Sequence, residues 1–311
     1  MPNLSTASGA LCALVGYLQA QDYAFITPTP LTHARVLRRH GGAAADLRDA
    51  FGWSRPFEKS LLPEAIFEAL QEADSIAPEG ANWRSRVRVS SLEGMLFVHS
   101  AYPTEAADAV FFGPDTYRFV AAIKRDLAHC GEAARVVEIG CGSGAAGIFI
   151  ARERPGANVM LADINQRALD FAAVNASAAG VANTHVAYSD ILTDLPGAFD
   201  YVVANPPYIV DPAHRSYRDG GGLWGADLSL RILQQVTERL SAKGCALIYT
   251  GAAIVAGRDV FKHEAARLLA SPHLDWTYEE IDPDVFGEEL DTPAYAEVDR
   301  IAAVALRLTK R

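Results

Sequence analysis

Hydrophobic positions near the start of the chain recur at helical spacing and predict a mainly helical N-terminal region. One helix face carries four apolar residues, namely Leu11, Leu14, Val15 and Leu18. Thr32 is a candidate cap for a second helix over residues 33–39, and Pro63 stands in the first turn of a third over residues 64–70. Residues 74–80 carry a proline and end on a glycine, which predicts a loop.

Two apolar runs flank Glu93-Gly94 and predict a β-hairpin over residues 87–98. The chain is long enough for one large and one small domain. We therefore expect a helical N-terminal domain over residues 1–100, ending in this hairpin, and a second domain over residues 101–311. The N-terminal domain is expected to recognise the substrate.

From about residue 115 onward, the apolar runs alternate between strand and helix. Predicted strands cover residues 135–139, 158–163, 184–189, 199–204 and 245–250. Predicted helices cover residues 145–153, 166–179, 227–240 and 259–269. Two late strands, over residues 276–281 and 301–308, have no predicted helix between them, which indicates an antiparallel pair at a sheet edge. The pattern predicts an α/β fold with a seven-stranded, mostly parallel sheet and a smaller, mainly helical N-terminal domain.

Composition narrows the class of protein. Half of the 311 residues are hydrophobic, as in globular chains, and the formal net charge of −10 disfavours broad adhesion to polyanions. The four cysteines are far apart in sequence, and neither they nor the histidines show metal-ligand spacing, so we expect no metal and a reducing, cytoplasmic location. We recognise no signal peptide and no membrane-spanning run, so no membrane partner is expected.

A glycine-rich turn joins the first strand of the predicted sheet to its helix. Gly140, Gly142 and Gly144 allow a ligand to approach the backbone closely and allow positive φ angles. A dinucleotide site would prefer the spacing G-x-G-x-x-G, whereas the third glycine here comes one position early. The turn therefore suits the methionine and ribose parts of S-adenosylmethionine (SAM), although similar turns occur in many α/β proteins.

Two acidic residues end the next two predicted strands, at the same edge of the sheet. Asp163 can accept hydrogen bonds from both ribose hydroxyls, and Asp190 can receive the exocyclic amine of adenine. Ile164 and Ile191 can pack on the adenine faces. Taken singly, Asp163 could instead cap a helix and Asp190 could be a turn residue.

The sequence Asn205-Pro206-Pro207-Tyr208 follows the fourth strand. An amide or aromatic amine nitrogen is a poor nucleophile that gains positive charge as it attacks a methyl group. The Asn205 side-chain oxygen and the Pro206 carbonyl can accept its N–H groups and stabilise that charge. The two prolines stiffen the loop, and Pro207 and Tyr208 are expected to contact the planar substrate group. The alternative is an ordinary turn.

The region from about Phe112 to Leu308 resembles the class I SAM-dependent methyltransferases with a Rossmann-like fold. Among them it resembles the HemK/PrmC-type glutamine N5-methyltransferases of peptide release factors. The matching segments are Glu138-Ile139-Gly140-Cys141-Gly142-Ser143-Gly144, Asp163-Ile164-Asn165, Asp190, Asn205-Pro206-Pro207-Tyr208 and Asp219-Gly220-Gly221-Gly222-Leu223. The resemblance implies SAM as methyl donor, an amide or amine nitrogen as acceptor, and Glu138 and Asn205 among the cofactor-binding residues. Gly113-Pro114-Asp115-Thr116 replaces an upstream motif of that family, and the first 80 residues show no clear match to its substrate domain.

Several functions stay open on the sequence alone. The favoured one is methylation of a protein glutamine, on a partner that is release-factor-like or ribosomal, rather than RNA or DNA. The alternative is methylation of an exocyclic amine of adenine or guanine in a nucleic acid, whose phosphates could meet a group of basic residues. That group consists of Arg35, Arg38, Arg39, His40, Arg84, Arg86 and Arg88, which could equally be ordinary exposed charges. A small-molecule amine acceptor and a non-catalytic SAM-binding protein are further hypotheses.

An acidic segment, residues 282–290, precedes the last strand. We interpret it as a solvated loop, with a rim that selects a basic partner as the alternative.

Overall fold

A computed structural model describes residues 6–39, 41–131 and 133–311. The helices are α1 (Thr6–Ala20), α2 (Pro30–Arg39), α3 (Leu47–Phe51), α4 (Glu64–Glu72), α5 (Pro114–Asp126), α6 (Ala145–Glu153), α7 (Gln166–Ala178), the four-residue turn α8 (Gly222–Gly225), α9 (Asp227–Arg239) and α10 (Val260–Leu268). The strands are β1 (Ile76–Glu79), β2 (Asn82–Ser85), β3 (Val87–Leu92), β4 (Met95–Ser100), β5 (Arg135–Ile139), β6 (Asn158–Asp163), β7 (Thr184–Tyr188), β8 (Phe199–Ala204), β9 (Leu240–Val255), β10 (Arg258–Asp259), β11 (Leu274–Asp282) and β12 (Arg300–Lys310).

The central sheet has the strand order β11-β12-β9-β8-β5-β6-β7, and the short β10 pairs with the end of β9. The five strands from β7 to β9 along this order are parallel, whereas β12 and β11 are antiparallel. The seven-stranded, mostly parallel sheet and its antiparallel edge pair are therefore confirmed. The carboxyl ends of β5, β6, β7 and β8 lie at one edge, where ligands bind in open α/β sheets.

The central strands of the sheet are buried on both faces because helices cover each side, whereas the edge strands β7 and β11 are more exposed. One core contains residues of α5 and α6 together with β5 and β9, and a second core on the other face contains residues of α9 and α10. The central strand β8 is a continuous apolar run apart from Asp200, as expected for a parallel strand buried on both faces.

The N-terminal elements pack on the rest of the molecule through α7. All four apolar residues of the predicted face of α1 are buried, and their core also contains Phe171 and Val174 of α7. The buried Asn175 of α7 binds both backbone groups of Val98 in β4, at 2.7 and 3.0 Å, and donates to the Ser143 carbonyl at 2.9 Å. One side chain thus ties the N-terminal hairpin to the glycine turn, while the domain division at residue 100 stays a prediction.

Two local predictions in the N-terminal region were wrong. Residues 76–79, expected to be loop, form a strand that pairs antiparallel with Asn82–Ser85, since a two-stranded hairpin tolerates a proline at its edge. The second helix begins at Pro30 rather than behind Thr32. The Thr29 hydroxyl accepts the Thr32 N–H at 3.3 Å, so the capping hydroxyl comes three residues earlier than predicted.

The acidic segment before the last strand is not simply a solvated loop. Val285 is buried, and a single 3₁₀ turn spans Gly287–Asp291. Glu289 is nearly buried and forms an ion pair with Arg218. Its apolar residues and this ion pair hold the segment against the molecule.

The cysteines that are distant in sequence are not all distant in space. The Sγ atoms of Cys130 and Cys245 lie 3.0 Å apart, both buried and both free thiols. The fold therefore brings together two thiols that are 115 residues apart in sequence.

Candidate active site

A cavity opens at the carboxyl edge of the sheet and collects most of the predicted cofactor-binding residues. This inner cavity encloses about 1030 Å³ of empty space including its mouth. Its lining includes Glu138, Gly140, Gly142, Asp163, Ile164, Asp190, Asn205, Pro206 and Pro207. The size and concave shape are typical of a small-molecule site. Strand ends that are far apart in sequence therefore meet where the β-α-β pattern predicted.

The three glycines of the turn all have positive φ, but they serve different purposes. A side chain on Gly140, at φ 63°, would meet nothing within 4 Å, because this residue faces the open cavity. Gly144, at φ 74°, does not border the cavity. A Cβ at Gly144 would lie 3.0–3.3 Å from Ile148, Ala172 and Leu161, so this glycine allows α6 to pack closely on its neighbours. The structure thus places Gly144 in the core rather than in the predicted cofactor site.

Asp163 organises the cavity wall through its carboxylate. Its two oxygens accept the Gly142 N–H and the Asn165 N–H, each at 2.9 Å. Burial raises the pKa of Asp163, and these N–H bonds lower it in part. The N-terminal cap of α7 is Asn165, whose side chain accepts from Arg167 N at 3.0 Å. The helix-capping alternative for Asp163 is therefore wrong, and its partly buried carboxylate lines the inner cavity.

Glu138 lies beneath the glycine turn at the end of β5. Only 4% of the residue is exposed, and its Oε2 accepts the Gly147 N–H of α6 at 2.7 Å. Burial raises the pKa of Glu138 to about 8, and the bond from Gly147 lowers it in part. The side chain therefore supports the start of α6 while it also borders the inner cavity.

The opposite wall of the inner cavity is more open. Asp190 is exposed and forms a loose ion pair with Arg231 at 3.5 Å. Ile164 is 49% exposed, whereas Ile191 is buried. Two residues of α9, Leu228 and Ile232, complete this wall. Neither residue could be predicted from the sequence, because the helical pattern of α9 does not indicate which end of the helix reaches the strand edge.

The residues Asn205, Pro206 and Pro207 line both the inner cavity and a smaller middle cavity of about 430 Å³. The Asn205 side chain is half-buried and makes no hydrogen bond with any other residue in the described part of the chain. Its amide oxygen is therefore a free acceptor at the boundary between two cavities.

Tyr208 lines the middle cavity but is only 5% exposed. Its hydroxyl donates a hydrogen bond to Asp115, which also accepts from the Tyr249 hydroxyl at 2.9 Å and from Arg118 at 3.2 Å. Burial raises the pKa of Asp115, and the bonds from the tyrosines and Arg118 oppose that shift. The buried side chain is anchored through its hydroxyl and offers little of its ring as an open stacking surface.

Glycines beyond the loop allow the chain to pack tightly on it. A Cβ on Gly220 would lie 2.7 Å from the Tyr208 Cα, and one on Gly251 would lie 2.0 Å from the Tyr208 ring. A Cβ on Gly225, which has φ 90°, would lie 2.0 Å from the Tyr208 carbonyl. The absence of side chains at these three glycines therefore allows the backbone to pack directly against Tyr208.

A third, outer cavity of about 1400 Å³ lies between the N-terminal elements and the loop. Phe111 and Tyr217 line all three cavities, so they stand where the cavities adjoin. The Tyr217 hydroxyl donates to the Thr104 carbonyl at 2.8 Å, which connects this wall to the segment after β4. No sequence motif marked Phe111 or Tyr217, because neither follows a strand of the sheet.

The basic residues considered for phosphate contacts differ in exposure and in ion pairing. Arg84 and Arg86 form ion pairs with Glu79 and Asp74, whereas Arg88 is buried. Exposed side chains occur at Arg35, Arg38 and Arg39, and His40 lies outside the described residues. The interpretation of the whole group as exposed charges was wrong for Arg88.

Within the described residues, no group of three or more His, Cys, Asp or Glu side chains is placed to hold a metal ion. None of the helices in these residues has both the length and the hydrophobicity that a membrane span requires.

The family model described as "Methyltransferase small domain" matches residues 119–245. Residues 119–245 therefore resemble a methyltransferase domain, in keeping with the mostly parallel sheet and the cavity at its carboxyl edge. The chain resembles the release factor glutamine methyltransferases. That of Koribacter versatilis is 33% identical over 165 residues, which cover 49% of this chain and 55% of the relative.

A ribosomal RNA small subunit methyltransferase C of Haemophilus influenzae is also similar, with 32% identity over 87 residues that cover 27% of this chain and 26% of the relative. The chain thus spans about half or less of the length of these curated relatives. A crystal structure from Pyrococcus horikoshii shares the fold at a TM-score of 0.50 and 13% identity, over 79% of this chain and 83% of that one.

Proposed function

We propose that this protein transfers a methyl group from SAM to a planar amide or amine nitrogen, with a protein glutamine side chain as the acceptor. The observation that carries the proposal is the free side-chain oxygen of Asn205 at the boundary between the inner and middle cavities. A donor in the inner cavity and a nitrogen in the middle cavity would meet at this side chain.

The inner cavity fits the cofactor. Open space at Gly140 leaves room beside the backbone, and the Asp163 carboxylate is available to ribose hydroxyls. Asp190 and Ile164 stand on the wall assigned to adenine. Bound here, SAM would supply an electrophilic methyl group on a positively charged sulfur. The roles of Glu138 and Gly142 in holding it remain predictions of the same kind.

The loop supplies the catalytic groups. The Asn205 oxygen and the Pro206 carbonyl accept the N–H groups of the acceptor and stabilise the positive charge that its nitrogen gains. Their fixed positions also orient the nitrogen, and alignment of this kind contributes up to about 7–11 kcal/mol in favourable systems. No general base is needed before transfer, because the methylated nitrogen becomes acidic and then loses its proton. Pro207 and Tyr208 shape the space that receives the planar group.

Two observations support a protein acceptor over a nucleic acid. The net charge is −10, and two of the arginines near the N-terminal hairpin are neutralised by carboxylates. Two release factor glutamine methyltransferases match 49% and 46% of this chain, whereas the ribosomal RNA methyltransferase matches 27%. The partner we propose is therefore release-factor-like or ribosomal, and we expect a cytoplasmic location. The similarity to a ribosomal RNA methyltransferase keeps an exocyclic amine as the second candidate.

The test is incubation of the protein with methyl-labelled SAM and separate protein, RNA and DNA fractions of a cell extract. Label is expected in the protein fraction, and acid hydrolysis should release it as methylamine, the product of an N-methylated glutamine amide. A parallel reaction without the enzyme is the control. Label that appears in nucleic acid and is recovered as a methylated adenine or guanine would transfer the assignment to the second candidate.

A further inference from the structure

A buried arginine without a counter-ion lies in the wall of the outer cavity. Arg88 is 5% exposed, and its Nε has no hydrogen-bond partner. No carboxylate forms an ion pair with it among the residues that the structure describes. A buried, uncompensated charge is costly, so its retention indicates that a ligand completes the site.

The other three arginines that line this cavity each form an ion pair with a carboxylate. Arg118 pairs with Asp115 and Asp282, and Arg215 binds Asp211 at 2.7 Å. The third, Arg218, pairs with Glu289. Their charges are therefore already balanced by the protein, and Arg88 alone among the arginines of the lining offers an unpaired guanidinium.

Two further features orient the unpaired guanidinium. The Nη1 of Arg88 donates to His33 Nδ1 at 3.3 Å, while His33 Nε2 donates to the Trp53 carbonyl at 3.0 Å. Burial, and then the charge of Arg88, lowers the pKa of His33 to about 4, so this imidazole is neutral and adds no charge. Pro30, the first residue of the ten-residue helix α2, lines the same cavity together with the preceding Thr29, and a helix N-terminus favours an anion.

The charge of the site matches a monoanion better than a dianion. It offers one positive charge, and three exposed acidic side chains of the same lining, Glu105, Asp284 and Glu288, would repel a phosphate dianion. A carboxylate carries a single charge, and its two oxygens match the fork of a guanidinium.

We propose that Arg88 binds a carboxylate group of the methyl acceptor. The outer cavity shares Phe111, Tyr217 and Arg218 with the middle cavity beside Asn205, so one molecule can reach both. The inference rests on the proposed function because it assigns these cavities to the acceptor. It specifies an acceptor that presents a carboxylate together with its amide.

The test is a titration of the full chain, labelled with ¹⁵N-arginine, that follows the Arg88 Nε–H resonance by NMR. Loss of the resonance in Arg88→Lys identifies it. The probes are N-acetyl-Gln-Glu-amide, which has a glutamine amide beside a side-chain carboxylate, N-acetyl-Gln-Gln-amide, which lacks the carboxylate, and inorganic phosphate. N-acetyl-Gln-Glu-amide is expected to shift the resonance saturably and to bind at least about tenfold more tightly than the other two, as for a lost charge-assisted bond.

The control is Arg86→Lys, two residues away and exposed, which should leave the affinity for N-acetyl-Gln-Glu-amide unchanged. Equal binding of the neutral peptide, tighter binding of phosphate, or no shift with N-acetyl-Gln-Glu-amide would overturn the inference. If Arg88→Lys does not fold, the calorimetric affinities of the wild-type chain for the three probes still decide. The titration needs no methyl transfer, so its failure is distinct from a failure of the transfer assay.

Discussion

The inner and outer cavities are built from different parts of the chain. The inner cavity is formed mainly by residues at the ends of β5, β6, β7 and β8, so its position follows from the order of the strands. The outer cavity combines the start of α2, Arg88, the loop after β4 and Phe286, which are distant in sequence. The difference indicates that the position of the inner cavity follows from strand order, a rule common to many α/β proteins. The outer cavity instead depends on contacts between segments that are distant in sequence.

The largest effect is expected at Asn205, which lies at the boundary between the inner and middle cavities. Asn205→Ala removes the free acceptor at the transferred nitrogen and should lower kcat/KM by about 10²–10³-fold, as with other preorganised transition-state groups. SAM affinity by calorimetry should stay largely intact, because Asn205 is only one of many residues that line the inner cavity, whereas its free oxygen is the acceptor at the transferred nitrogen. Asn158→Ala, at the exposed start of β6, is the control. Wild-type turnover in Asn205→Ala would remove it from the catalytic site.

A smaller effect is expected for Asp163 in the wall of the inner cavity. Asp163→Ala should weaken SAM binding by about 10–100-fold, the size of one or two lost charge-assisted hydrogen bonds. Asp163→Asn, which keeps one acceptor oxygen, should lose less. Asp170→Ala on the exposed face of α7 should bind SAM like the wild type. Unchanged calorimetric affinity in Asp163→Ala would exclude the ribose role.

The carboxyl group of Glu138, which borders the inner cavity, should make the free energy of unfolding depend on pH. Because burial raises the pKa of Glu138 from 4.5 to about 8, its protonated form favours folding. That contribution is fully present below pH 4.5 and is lost as pH rises towards 8, at up to about 1.4 kcal/mol per pH unit.

In urea unfolding of the cofactor-free protein, Glu138→Gln should make the free energy of unfolding depend less on pH. The stability of this variant relative to the wild type should therefore increase from pH 4.5 to 8. Glu153→Gln, on the exposed end of α6, should keep the wild-type slope. An identical slope in wild type and Glu138→Gln would contradict the raised pKa.

The smallest effect separates the two tyrosines that bind Asp115. Tyr208→Phe and Tyr249→Phe each remove one hydrogen bond and should each lower the free energy of unfolding by about 1 kcal/mol. Only Tyr208→Phe should also lower kcat/KM, by about fivefold, because this hydroxyl anchors the loop that carries Asn205. Equal turnover in the two variants would show that the anchor contributes to stability alone.

The predictability of the elements differs along the chain for a physical reason. β5, α6, β6 and β8 have the predicted bounds, because long apolar periods and glycine punctuation mark them locally. The hairpin of β1 and β2 was missed, because its strands are four residues each and are paired by a partner strand rather than by their own pattern.

The candidate site shows the same division. The residues at the strand ends could be predicted, since parallel strands bring their carboxyl ends to one edge. The burial of Arg88 and the hydrogen bond from Tyr208 to Asp115 could not be predicted, because both depend on residues that are distant in sequence.

The sequence by itself determined the parallel sheet, the glycine turn and the position of the Asn205 loop, because local periodicity and strand order suffice for these. Only the tertiary structure decided which charges are balanced and how the cavities adjoin. These properties depend on contacts between distant segments, such as Asn175 with β4 and Tyr217 with Thr104. Burial and electrostatic energy depend on distance in space, which the order of residues does not state.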